Sequence, residues 1–92
     1  MVDIVRKRVV VDGVVQGVFF RAATQRQATA LGVKGWVRNL SGGRVEAVFE
    51  GPQDAVDSAV AWSRTGPERA IVTSVEVTEE APEGLSGFGV RY

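Results

Sequence analysis

The sequence predicts an α+β fold: two helices on one face of a mainly antiparallel sheet, with a short extra C-terminal strand. Three observations predict it. Runs rich in β-branched residues alternate with two stretches of helical periodicity in the order βαββαβ. Glycine-bearing turns separate the elements. Hydrophobic residues make up 45% of the 92, enough for one packed core, so residues 1–92 are read as a single domain.

The first strand is read over residues 5–12, with Val9 and Val11 on one face and Arg8, Val10 and Asp12 on the other. Within it, Arg6-Lys7-Arg8 is read as a solvated strand edge, because charges blunt exposed edges. A glycine-bearing loop over residues 13–20 follows. The first helix spans 21–31, with Phe20, Ala23, Ala30 and Leu31 at helical spacing and Gln27 interrupting that face. Gly32 is the expected C-terminal cap.

The second strand covers residues 33–40, with Val33, Gly35, Val37 and Asn39 sharing a face. Ser41-Gly42-Gly43 makes a hairpin turn. The third strand, 44–50, turns Val45, Ala47 and Phe49 one way and Arg44, Glu46, Val48 and Glu50 the other. Gly51-Pro52 opens the second helix, Pro52 being tolerated in a first turn, and Val56, Ala59 and Val60 form its apolar stripe. Gly66-Pro67 stops it. The fourth strand, 70–78, is expected to show Ile71, Thr73, Val75 and Val77 on one face. Residues 79–87 read as a polar loop, and 88–92 as a closing strand. Two helices on one side of such a sheet make the ferredoxin-like sandwich, a fold that hosts many functions and decides none.

Composition narrows the chemistry. Acidic and basic residues balance at 11 each, and the pI is near 6.2, which argues against a general nucleic-acid or anionic-membrane binder. There is no cysteine and no histidine. Disulfides, thiolate nucleophiles, cysteine-ligated metals and a phosphohistidine route are therefore excluded. No signal peptide or membrane-spanning run is read, and a cytoplasmic protein is expected. Any catalysis must run on arginine, amides, carboxylates, hydroxyls, backbone groups and water.

The run Gly13-Val14-Val15-Gln16-Gly17-Val18-Phe19-Phe20-Arg21 stands out. It leaves a strand, turns through a glycine and delivers an arginine to a helix start. A cation there opposes the helix dipole. An anion held by the N–H groups of Val15, Gln16, Gly17, Val18, Phe19 and Phe20 would resolve that conflict. Gly17 permits the positive φ such a turn needs, and the planar fork of Arg21 matches two phosphate oxygens. Taken singly, Gly17 and Arg21 read as a tight turn and a surface arginine; together they read as a phosphate site. Asn39, a polar amide on an apolar strand face, reads by itself as a turn residue. It can equally hold a water molecule beside the phosphate, since an amide both donates and accepts. Asp12, beside the loop, is a weaker candidate base. Trp36, Trp62, Phe49 and Phe88 read as packing residues, and Arg91 and Tyr92 as a terminus tied back near the first loop.

The run from Gly13 to Arg21 closely resembles the first signature of the acylphosphatases. Gly35-Trp36-Val37-Arg38-Asn39, followed by Gly43, Val45 and Gly51, resembles the second in residues and spacing. The resemblance covers essentially the whole chain. It implies hydrolysis of carboxyl-phosphate mixed anhydrides to a carboxylate and phosphate. Arg21 would take the role of phosphate-binding arginine and Asn39 that of water-orienting asparagine. The resemblance further implies no metal, no cofactor and no phospho-enzyme. The expected partners are a small acyl phosphate and inorganic phosphate or a similar anion as product or inhibitor, with neither nucleic acid nor membrane, on a monomer. Two rivals remain. One is a binding module that cradles an acyl phosphate without turnover, such as occurs inside larger carbamoyl-transferring proteins; a chain ending at Tyr92 favours the free enzyme. The other is an RNA-binding ferredoxin-like domain, which needs exposed aromatics on its central strands; Val9, Val11, Val45 and Ala47 do not supply them.

Overall fold

A computed structural model describes residues 3–92. Seven elements follow one another: β1 (Ile4–Val14), α1 (Phe20–Leu31), β2 (Lys34–Asn39), β3 (Val45–Pro52), α2 (Gln53–Ser63), β4 (Ile71–Glu80) and β5 (Phe88–Arg91). The sheet order is β4-β1-β3-β2-β5. All pairings are antiparallel except the one between β2 and β5, which is parallel. Both helices cover one face, and the ferredoxin-like sandwich is the fold. No helix among the described residues is long and apolar enough to cross a membrane.

The core forms where period-two strands meet period-3.6 helices. Val9, Val11, Val37, Val45, Ala47 and Phe49 point from the sheet into one buried cluster with Phe20, Ala28, Val56, Ala59 and Val60. Phe20 fixes the start of α1 against α2, its ring 5.6 Å from that of Trp62. The buried face of α1 is Phe20, Ala23, Thr24 and Ala28. Ala30, expected on that face, is exposed. Thr24 is buried instead because its hydroxyl donates to the Phe20 carbonyl at 2.8 Å, which removes the cost of burying a polar group. Gly32 closes the helix as expected. Pro52 departs from its expected place: it caps α2 with ψ 141° rather than entering the first turn.

Three further corrections come from strand order. β1 is flanked on both sides, by β3 and β4, so Arg6-Lys7-Arg8 is not an edge. Arg6 is only 6% exposed, and its guanidinium lies near Glu50, Glu80 and Glu83. Second, β4 does not alternate regularly. Asp12 pairs with Ser74 but Gly13 with Val72, so Thr73 is an extra residue, a β-bulge. The bulge shifts the side-chain phase: Val72 joins Val75 against the core, and Ile71 is left exposed. Gly13 makes this possible, since a Cβ there would lie 2.0 Å from the Ile71 carbonyl oxygen. Third, Val9, Val11, Val45 and Ala47 lie under the helices, so they do not test an RNA surface. The open face instead carries Trp36, with Glu46 and Glu50 paired to arginines.

That open face is covered by ion pairs. β3 is central and its residues 45–51 are all buried. Glu46 accepts from Arg8 at 2.8 Å and from Arg38 at 2.6 Å. Burial pushes the Glu46 carboxyl up, but these bonds and the arginine charges outweigh it, and its pKa falls below the usual glutamate range. Glu50 accepts the backbone N–H groups of Glu83 and Leu85 at 2.6 and 2.7 Å. Burial raises this carboxyl too, and those donors with Arg6 again win, so its pKa is also lowered. The polar loop before β5 is thus strapped across the sheet. β5 then aligns beside β2, with Phe88 stacked on Phe49 at 5.8 Å.

Candidate active site

The loop between β1 and α1 has two left-handed residues. Gly17 has φ 75°, as expected. Phe19, the residue before α1, has φ 60° and is 76% exposed. No local pattern announces that conformation for a phenylalanine, which is strained there. Among the described residues, no protein acceptor pairs with the N–H groups of residues 16–20. Those near the helix start are free by construction, because the first turn has no preceding carbonyls. The helix begins with no acidic residue in its first turn, so its positive pole faces the loop uncompensated.

Two elements meet this loop. The hairpin after β2 is closed by the Leu40 N–H donating to the Arg44 carbonyl at 2.8 Å. Gln16 reaches across to it: its Nε2 donates to the carbonyls of Leu40 and Arg44, both at 2.8 Å. Asn39, the last residue of β2, is thereby brought beside the loop. From the other side, the chain end closes over Arg21. Arg21 Nη1 donates to the Arg91 carbonyl at 3.3 Å, and the guanidinium carbon lies 4.6 Å from the Tyr92 ring centroid. The expected return of Arg91 and Tyr92 to the first loop is therefore present.

These pieces enclose a cleft of about 660 Å³. Arg21 and Asn39 both line it, with Val15, Gln16, Gly17, Phe19 and Phe20 from the loop. Val18 does not; it lines a neighbouring groove and packs on the core. Asp12 is also absent from the cleft. It is exposed, and its carboxylate accepts the Gly13 N–H at 2.9 Å. Four further residues line the cleft that the sequence reading did not assign to it: Ala22, Gln25, Val90 and Tyr92. Gln25 could have been found, since it stands one helical turn after Arg21 on the same face. Its Nε2 donates to the Phe88 carbonyl at 3.0 Å, fastening α1 to β5. Val90 carried no local signal, because the parallel pairing of β5 with β2 puts it there. Among the described residues, no three His, Cys, Asp or Glu side chains group to hold a metal ion.

The arrangement suits an oxyanion with several oxygens. Loop N–H groups without a protein acceptor, a helix N-terminus, a guanidinium fork and an amide all border the one cleft. An amide can position a water without adding a charge that would oppose the anion.

Comparison with known proteins agrees. The Acylphosphatase family model matches residues 7–90. An acylphosphatase of Haloquadratum walsbyi is 56% identical over 86 residues, covering 94% of this chain and 92% of that protein. A solved acylphosphatase from Coxiella burnetii superimposes with a TM-score of 0.93 at 40% identity, over 97% of this chain and 94% of that one. That from Bacillus subtilis gives 0.92 at 40% identity, over 96% and 99%.

Proposed function

The chain belongs to the acylphosphatase family, a hydrolase family acting on small acyl phosphates, and on that footing we propose how its cleft performs the reaction. The phosphoryl group sits in the loop of Val15, Gln16, Gly17, Val18, Phe19 and Phe20, held by backbone N–H groups. Arg21 grips two of its oxygens. Asn39 holds the attacking water in line with the bond to the carboxyl oxygen. Water attacks phosphorus directly, with no phospho-enzyme and no metal. The P–O bond breaks, its electron pair leaves with the carboxylate, and phosphate remains in the loop.

The requirements are modest because the leaving group is good. A carboxylate whose conjugate acid has a pKa of about 4–5 departs without a strong general acid. The transition state is loose, with charge spread over the phosphoryl oxygens, so preorganised donors and one guanidinium are the main need. The phosphate itself accepts the water's proton, since among the described residues no Asp, Glu or His side chain lines the cleft. The observation that carries this reading is that Arg21, Asn39 and the loop, drawn from separate elements, share one cleft.

The test is hydrolysis of benzoyl phosphate in EDTA by the wild type, Arg21→Ala and Asn39→Ala. Each substitution is expected to lower kcat/KM at least ~100-fold, the size of losing one oriented donor. Arg21→Ala should also lose inhibition by inorganic phosphate, while Asn39→Ala keeps it. Activity that disappears with EDTA contradicts the metal-free step. Phosphorylated protein in a rapid acid quench contradicts direct attack. Full activity in Asn39→Ala removes the asparagine from the mechanism. We further propose a cytoplasmic monomer, checked by cell fractionation and sedimentation.

A further inference from the structure

We infer that the acyl part of the substrate lies in a second groove beside the phosphoryl cleft, and that this groove favours acyl groups carrying a distal anionic group. The inference deepens the proposed function and rests on it. The groove has a volume of about 340 Å³ and is lined by Val18, Phe19, Ala22 and Pro67, with the exposed Arg26 and Arg69. Phe19 and Ala22 line the cleft as well, so the two hollows meet at those residues.

The direction of the reaction points the same way. In phosphoryl transfer the attacking and leaving oxygens stand roughly in line across phosphorus. Asn39 ends β2, beside the edge strand β5. Pro67 and Arg69 lead into β4, the opposite edge of the sheet. The loop and Arg21 lie between them. With water held at Asn39, the carboxyl oxygen leaves away from β2, toward the side where Phe19 and the groove lie.

Phe19 supplies a second argument. It holds a large aromatic ring 76% exposed, in a backbone conformation that favours glycine. Strain of this kind persists at functional sites. At the ridge between the two hollows, the ring offers an apolar surface for an acyl chain or an aryl group to lie against. Charge decides the rest. Arg26 and Arg69 line the groove against one carboxylate, that of Glu68, so its lining has a positive excess. Neither guanidinium is in an ion pair among the described residues.

The experiment measures hydrolysis of acetyl phosphate, benzoyl phosphate and 4-carboxybenzoyl phosphate, each rate divided by its uncatalysed rate. Wild type is compared with an Arg26→Glu/Arg69→Glu double variant, with inhibition by inorganic phosphate measured in both. Wild type should show a lower KM for benzoyl than for acetyl phosphate. It should prefer the 4-carboxybenzoyl compound over benzoyl by about fivefold in kcat/KM, the size of one exposed ion pair. The double variant should reverse that preference while keeping its acetyl phosphate turnover and phosphate inhibition. Independently of any variant, the wild-type preference should shrink as salt is raised, because exposed charges are screened. A wild-type preference of one or less, or one that neither salt nor charge reversal changes, overturns the groove alone. A wild type that hydrolyses none of the three overturns the function and the groove with it.

Discussion

The Arg21 guanidinium lies 4.6 Å from the centroid of the Tyr92 ring, so the candidate phosphate-binding arginine is held at the very end of the chain. The ring, together with the Arg91 carbonyl that accepts from Nη1, restricts where the guanidinium can swing. An exposed cation–π contact contributes about 0.5–1 kcal/mol. Tyr92→Ala is therefore expected to lower kcat/KM for benzoyl phosphate about threefold to fivefold and to weaken phosphate inhibition similarly. Tyr92→Phe should keep both, since the contact uses the ring face.

Gln16 joins the loop to the hairpin after Asn39 through one amide nitrogen shared by two carbonyls. Gln16→Glu removes the donor and keeps the size. It should cost about 1–2 kcal/mol in urea denaturation and reduce kcat more than it raises KM, because the position of Asn39 matters to the attack rather than to binding.

Glu50 and Glu46 make stability depend on pH. Both folded-state pKa values lie below the ordinary one. Between the two values the unfolded chain binds more protons than the folded one, so their stabilisation is complete above the unfolded value of about 4.3 and is lost as pH falls through the folded values. Urea denaturation should give a plateau above about pH 5 and a decline below about pH 4. Glu50→Gln should cost about 2 kcal/mol at neutral pH, because a charge-assisted pair of N–H bonds is lost, and should make the acid decline shallower.

Gly13 sits where the β1–β4 ladder slips by one residue, with no room for a side chain. Gly13→Ala should destabilise by about 3 kcal/mol through backbone collision and strain. For a chain of this length that lowers Tm by more than about 10 °C in a thermal scan. Gly17→Ala, with open space around the site but φ 75°, should cost less stability and more activity.

Much of this was legible beforehand because it is local. The alternation of Val9 and Val11, the cap at Gly32 and the positive φ of Gly17 each follow from a few consecutive residues. The candidate pair Arg21 and Asn39 was legible by a different route, the match of two spaced motifs; the residues alone left Asn39 a turn amide. Ala30, Pro52 and the phase of β4 depart from the local pattern where a neighbour overrides it: the Thr24 hydroxyl bonds back to its own helix, β3 runs on to Pro52, and a bulge at Thr73 exchanges the faces.

Element types, turn positions and the anion-seeking character of the first loop are thus properties of the chain itself, because periodicity, capping and glycine geometry act over a turn or two. The burial of Arg6, Glu46 and Glu50, the place of Val90 in the cleft and the meeting of Asn39 with the loop are not. They depend on β1 and β3 taking the centre of the sheet and on β5 pairing in parallel with β2. Such pairings join residues far apart in sequence, and their energy comes from burial and ion pairing that exist only once the sheet is assembled.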